Sequence, residues 1–255
     1  MSKLPKEYKF IDVSDYGRKP GRWIAQSLIN SKVTPIHVTT AFIISGLIAI
    51  VCILNEFYYA AAFFIVLKSI IDAADGELAR LKKTPSYTGR YYDSLADLFL
   101  NFLFLSAIVY ITETSFGEML LAFFGIQLQG TLYNFYYVIL RNSVNGDATS
   151  RIFENETPTA LRGEKQSTVN KFYATYNAFY GPFDKVIYAL DKQAANSKPF
   201  PKWFMTLISI YGLGFQLLIM AVMLILNLTQ YIIPFFTWYS VLILVFVGIR
   251  KLFLK

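Results

Sequence analysis

Apolar positions fall into six long runs, at residues 36–54, 57–78, 94–111, 119–140, 203–226 and 231–249. Each is close to the ~20 residues a helix needs to cross a hydrocarbon layer of about 30 Å. Backbone groups in lipid must pair within their own segment, so runs this long and this uniformly apolar predict helices rather than barrel strands. The expected fold is an all-α integral membrane protein with six transmembrane helices. Two less apolar stretches frame the runs. In residues 1–35, Tyr16, Trp23, Ile24, Leu28 and Ile29 are interleaved with Arg18, Lys19 and Arg22. That pattern predicts an N-terminal amphipathic helix lying in the membrane interface before Pro35 turns the chain inward. Residues 142–202 form a long connection. Its first half is polar, whereas residues 172–190 carry Tyr173, Tyr176, Phe179, Tyr180, Phe183 and Tyr188 with few charges, and predict a second surface-lying segment. The chain therefore divides into an interfacial arm (1–35) and a six-helix domain (36–255) that carries the connection.

Composition narrows the class. Hydrophobic residues make up 55% of the chain and charged ones 16%, against about 25% charged in a soluble domain. This excludes a disordered chain and an ordinary cytosolic enzyme, and the lone Cys52 excludes a disulfide scaffold. No cleavable leader is expected, because the first apolar run begins only near Ile36. The charges then orient the runs. Lys and Arg concentrate before residue 35, after the second run (Arg80, Lys82, Lys83, Arg90), in 141–202 and in the tail. The connections around Glu56, 112–118 and 227–230 carry none. Basic loops stay in the cytoplasm, so a multi-pass protein with both termini cytoplasmic is expected, in the cell membrane if the chain is prokaryotic. The net charge of +7 then reflects topology and attraction to lipid headgroups, not nucleic acid. The Asn155 sequon falls on the cytoplasmic side of that topology, and the Asn227 sequon hugs the bilayer.

One constellation carries chemistry. The second run ends in Asp72, Asp75, Gly76, Ala79 and Arg80, and the third opens with Asp93 and Asp97. Acidic side chains at membrane depth are costly and mark function. At about 100° per residue, Asp72, Asp75, Gly76 and Ala79 share a face and Glu77 points away. Asp93 and Asp97, four apart, share a face of the next helix. A short turn makes the two helices antiparallel neighbours, so four carboxylates can converge between them. Packed in low dielectric they would repel, which calls for cations. Oxygen-only donors suit hard ions such as Mg²⁺ or Mn²⁺ rather than zinc. Two such ions, roughly 3.5–4 Å apart, clamp a phosphoryl group in known two-metal sites. Asp97, one turn deeper than Asp93, is the better candidate for a general base. Arg80 can pair with a diphosphate.

The motif Asp-x2-Asp-Gly-x2-Ala-Arg-x8-Gly-x3-Asp-x3-Asp, filled by Asp72, Asp75, Gly76, Ala79, Arg80, Gly89, Asp93 and Asp97, resembles the signature of the CDP-alcohol phosphotransferases. The resemblance implies attack of an alcohol hydroxyl on the β-phosphorus of a CDP-linked donor, with release of CMP. It implies a site for two divalent cations, Mg²⁺ or Mn²⁺, built from Asp72, Asp75 and Asp93, with Asp97 either a further metal ligand or the general base, and Asp93 and Asp97 as the catalytic candidates. It places nucleotide against Asp75, Gly76 and Ala79, with Arg80 near the phosphates, Gly89 among the substrate-binding positions, and a homodimer as the usual assembly. Thr34-Pro35-Ile36-His37-Val38-Thr39 is similar to a family turn that would make Thr39 a nucleotide neighbour, although Ile36 replaces the usual Asn. The preferred reading is transfer from CDP-diacylglycerol to a small polar alcohol in phospholipid biosynthesis. The alternatives are a soluble donor (CDP-inositol, CDP-choline or CDP-ethanolamine) with a lipid or sugar-phosphate acceptor, or, in a different class, a divalent-cation transporter.

Other polar residues have plainer readings. Lys68, one turn before Asp72, either touches a donor phosphate or neutralises Asp72. His37 reads as an interfacial residue at a helix start and Cys52 as packing. Gly46, Gly125, Gly212 and Gly214 read as close helix contacts. Arg141, Arg151, Arg162 and Lys165 read as a solvated face, from which one or two side chains can meet an anionic acceptor.

Overall fold

The computed structural model describes residues 4–144 and 156–254; Arg151 and Asn155 lie outside them. Among the described residues the chain forms ten α-helices and no strand. They are α1 (Arg18–Leu28), α2 (Pro35–Leu54), α3 (Tyr58–Lys82), α4 (Tyr87–Ile111), α5 (Phe116–Ser143), α6 (Gln166–Leu190), α7 (Lys202–Ile208), α8 (Leu213–Ile225), α9 (Thr229–Tyr239) and α10 (Leu242–Phe253). Among these residues, α2, α4 and the α9–α10 pair (Thr229–Phe253) are long and apolar enough to cross a membrane, and α7 with α8 makes a fourth if counted together. Helices α3 and α5 are long enough, at 25 and 28 residues, but each carries buried polar side chains: Lys68, Asp75 and Glu77 in α3, Gln127, Gln129 and Arg141 in α5. Ile44, Val51, Phe63, Leu121, Val222 and Leu244 remain exposed on the outside. That apolar exterior fits a multi-pass membrane protein.

Local chemistry explains the helix ends. Thr34 caps α2, with Pro35 in its first turn. His37 closes a reciprocal pair, its backbone N–H donating to Thr34 Oγ1 while its Nδ1 accepts from the Thr34 N–H. α3 runs one turn past the apolar stretch and stops at Lys83, which takes the left-handed conformation at φ 55°. α4 begins at Tyr87, about two turns before the expected start, because Ser86 Oγ accepts from the Gly89 N–H at 2.8 Å.

The structure adds detail to three expectations. The run at 203–226 is broken: α7 and α8 meet at an angle of 51°. Gly212 is extended there (φ −67°, ψ 144°), and the turn Val13–Asp15 wedges against the break. A Cβ on Gly212 would stand 2.2 Å from Ser14 Oγ, and one on Gly214 2.0 Å from the Ser14 carbonyl oxygen. Those glycines do permit close contact, but with the N-terminal segment. The arm, for its part, is more than a surface rider. Gly17, Gly21 and Ala25 recur every four residues and let α1 lie directly on the α3 backbone; a Cβ on Gly21 would meet the Ala74 nitrogen at 3.0 Å. Finally, residues 172–190 do not simply lie on the surface. Within α6, Tyr173 and Tyr176 pack on Tyr91 of α4, and the Tyr180 hydroxyl donates to the Ser94 carbonyl at 2.8 Å.

Two apolar clusters hold the bundle. One joins α2, α3, α4, α5, α8 and α9 around Phe42, Ile65, Phe104 and Phe236. The other joins α5, α7 and α10 around Tyr136, Phe204 and Phe246. Gly125 and Gly46 serve close contacts, with Ser240 and Leu100 respectively.

Candidate active site

The short α3–α4 turn brings carboxylates of the two helices together, while α2 packs against both helices. Asp72, Asp75 and Asp93 each present an oxygen within 4.8 Å of the others. Asp97 stands outside that trio. Its carboxylate accepts from the Lys68 ammonium, which also donates to Asp72 Oδ2 at 2.9 Å. Lys68 is 1% exposed, and its Nζ lies 4.6 Å from the Phe42 ring centroid. The Thr39 hydroxyl donates to Asp75 Oδ2 at 2.6 Å, so it fixes a carboxylate instead of facing open space. Gly76 and Arg80 lie together, with the guanidinium over the glycine; a Cβ there would be 3.5 Å from Arg80 Nη1.

The donor set fits a hard cation. All the donors are carboxylate oxygens, and a buried one, Asp93 Oδ1, has no hydrogen-bond partner among the described residues. A buried acceptor left in that state is costly unless something binds it. Asp72, Asp75 and Asp93 are the residues that would hold a divalent ion, and the ion would supply charge neutralisation at a phosphoryl group.

The trio forms one wall of a cavity of about 470 Å³. Asp72, Asp75, Gly76, Arg80, Asp93 and Asp97 line it. Thr39, Lys68, Ala79 and Gly89, also expected to bind substrate, stand outside that lining. Ala79 holds the end of α3, its carbonyl accepting from the Thr84 N–H at 3.0 Å. Gly89 leaves room for the Ser86 cap. From α5 the lining is neutral and polar, with Gln127, Thr131 and Asn134, and on α4 Asn101 follows Asp97 by one turn. The Gln127 amide nitrogen is buried without a partner among the described residues.

Several contributors were not legible from periodicity. Glu77, expected to point away, is buried and gathers Arg80 (3.0 Å), Arg22 (3.6 Å) and Arg18 (4.0 Å). It thereby fixes Arg80 at the cavity and ties α1 to α3. Burial opposes the charge on Arg18, but Asp15, together with Tyr137 and Glu77, outweighs it and holds the guanidinium above its usual pKa. Asp12 and Asp15 line the cavity from the N-terminal side, where Asp12 accepts from the Tyr133 hydroxyl. Tyr176, Tyr180 and Asp184 line it from α6. Glu164 caps α4 from a distance, accepting from the Ser86 hydroxyl (2.8 Å) and the Thr88 N–H (2.7 Å). Burial would raise the Glu164 pKa, yet these bonds and one from the Leu161 N–H hold it below the usual carboxylate range.

Comparison with known proteins places these residues in a wider group. The family model described as CDP-alcohol phosphatidyltransferase matches residues 32–190, more than half of the chain and the whole carboxylate cluster. Among curated proteins, the chain is 34% identical over 110 residues to the bifunctional IPC transferase and DIPP synthase of Archaeoglobus fulgidus, covering 42% of this chain and 22% of that protein. It is 35% identical over 85 residues to the protein of the same name from Thermococcus kodakarensis, covering 33% and 19%. The chain thus spans about a fifth of the length of these curated relatives.

Proposed function

The chain belongs to the CDP-alcohol phosphatidyltransferase family, an enzyme family of transferases, and on that premise we propose that it transfers the substituted phosphate of a CDP-linked lipid, CDP-diacylglycerol by preference, to the hydroxyl of a small polar alcohol. The observation that carries this reading is the oxygen trio of Asp72, Asp75 and Asp93, with the orphaned Asp93 Oδ1, set in a cavity wall beside Gly76 and Arg80. In the reaction, the acceptor oxygen bonds to the β-phosphorus as the bond to the α-phosphate oxygen breaks. CMP leaves and the acceptor proton passes to Asp97. Such transfer needs positioning and charge neutralisation more than covalent participation by the protein. Mg²⁺ or Mn²⁺, held by Asp72, Asp75 and Asp93, would supply neutralisation of the diphosphate charge. Gly76 leaves the α3 backbone open to the nucleotide, and Arg80, braced by Glu77, meets the phosphates. The amides and hydroxyls of Asn101, Gln127, Thr131 and Asn134 suit an uncharged polar acceptor.

A lipid donor agrees with the exposed Phe63, Phe99 and Leu103 on the two helices that carry the cluster. The soluble-donor alternative draws its support from the same polar cavity, which would hold a hydrophilic CDP-alcohol equally well. The transporter alternative loses its ground: α2, α8, α9 and α10 carry no acidic residue, and the family is enzymatic.

For the topology we infer six membrane crossings, by α2, α3, α4, α5, α7–α8 and α9–α10. The arm 1–35 lies at the cytoplasmic interface, both termini are cytoplasmic, and the chain works as a homodimer. Helix α6 would lie obliquely at the cytoplasmic end. In support, Glu164 before it reaches the start of α4, and Asp191 after it reaches Tyr136 of α5 and Arg250 of α10.

The test is purified protein with Mn²⁺ or Mg²⁺, CDP-diacylglycerol or soluble CDP-alcohols, and a panel of alcohols, with CMP as readout. Metal-dependent CMP release with a lipid donor is expected. Release only with a soluble donor transfers the proposal to the alternative, and none with any donor refutes both.

A further inference from the structure

We propose that the Lys68 ammonium is a built-in cation of this site, standing between Asp72 and Asp97, so that the carboxylate cluster takes a single divalent ion rather than a pair. The inference rests on the transferase reading and refines its cofactor requirement. Three carboxylates, those of Asp72, Asp75 and Asp93, have oxygens close enough to share one ion. The fourth is already engaged. Asp97 Oδ1 and Asp72 Oδ2 are bridged by the Lys68 Nζ, which joins the pair a second ion would have to join.

The ammonium has no other place to go. Its side chain is 1% exposed, and it points from the α3 turn that precedes Asp72. The ring face of the fully buried Phe42 attracts the cation but cannot replace a carboxylate. A second divalent ion between Asp72 and Asp97 would either break the two ion pairs of the buried ammonium or share two carboxylates with it. The first leaves a buried charge unpaired, and the second sets like charges side by side in low dielectric. Lys68 therefore acts as a positioning residue. It holds Asp97 at the cavity, where the acceptor hydroxyl must arrive, and supplies one positive charge without a soluble ion.

Manganese stoichiometry tests this without relying on turnover. Purified protein is titrated with Mn²⁺, with and without CDP, and bound ions are counted by elemental analysis while electron paramagnetic resonance reports spin coupling. One uncoupled Mn²⁺ per chain is expected for the unaltered protein, and Asp97→Asn should keep that ion with its affinity changed less than threefold. Lys68→Met should admit a second ion and a spin-coupled pair. Two coupled ions in the unaltered protein overturn the proposal, as does loss of the ion in Asp97→Asn or no ion at all. The unaltered protein and Asp97→Asn decide the matter even if Lys68→Met does not fold. CMP release is followed in parallel: two coupled ions with release intact would remove this inference and leave the transferase reading standing, whereas one uncoupled ion with no release from any donor would do the reverse.

Discussion

Asp93 Oδ1 is a buried acceptor without a partner among the described residues, and that state organises the residue-scale account. Removing its charge should remove the cation. Asp93→Asn is expected to weaken Mn²⁺ binding at least a hundredfold and to reduce CMP release to background, as read by titration and turnover on one preparation. Thr39 has a smaller effect to test. Its hydroxyl donates to Asp75 at 2.6 Å, and a hydrogen bond to a charged group contributes about 1.5–3 kcal/mol. Thr39→Val should therefore slow turnover roughly 10- to 100-fold while the protein stays folded. An unchanged rate would show that Asp75 needs no such anchor. Asp97→Asn should abolish turnover while CDP still binds, the outcome required if Asp97 acts, as proposed, on the acceptor and not on the nucleotide. The carboxylates themselves were legible in the sequence because residues three or four apart on a helix share a face, and Asp72, Asp75, Asp93 and Asp97 obey that spacing. For Glu77 the same spacing gave the face but not the burial or the partners. Periodicity puts it off the carboxylate face, but it cannot foresee that α1 arrives on that side with Arg18 and Arg22.

At the scale of elements, what positions the site is the seating of α3 and α4. α4 depends on a cap supplied from far along the chain, Glu164 on Ser86 and Thr88. A carboxyl whose pKa is lowered on folding stabilises the fold fully above its unfolded value, about 4.3 for Glu. That contribution is lost as pH falls through the lower folded value. Thermal midpoints measured from pH 7 down to pH 3 should accordingly fall more steeply for the unaltered protein than for Glu164→Gln, which should already be less stable at pH 7. Parallel profiles would count against the cap. α3 depends on α1, and there the contact is between backbones. Gly21→Leu would push a side chain into the Ile70–Ala74 stretch, where overpacking costs about 1–3 kcal/mol. A lower thermal midpoint and reduced CMP release are expected together, because the same stretch of α3 leads into Asp72 and Asp75. Helix existence and approximate length were readable from the apolar runs. The break at Gly212 was not, because its cause is Ser14, nearly two hundred residues earlier. Nor was the role of α6, whose tyrosines read as interfacial until Tyr91 and Ser94 are set beside them.

For the whole molecule, the fold places a polar cavity inside a bundle whose outer face is apolar. The carboxylates of α3 and α4 and neutral amides and hydroxyls of α5 share its lining. The N-terminal segment completes that cavity through Asp12, Asp15 and Arg18, although composition alone marks it only as a basic arm. Pairings such as Asp12 with Tyr133 or Asp191 with Arg250 join parts of the chain far apart in sequence, and a single sequence carries no local trace of them. Transfer of a CDP-linked phosphate to an alcohol at the cluster shared by α3 and α4 is decided by CMP release from purified protein supplied with Mn²⁺, a CDP-alcohol and the alcohol panel, compared with Asp75→Asn and with metal removed by a chelator. Release that needs the alcohol and falls to background on either loss is the predicted result. Release that persists in Asp75→Asn or in chelator would contradict it.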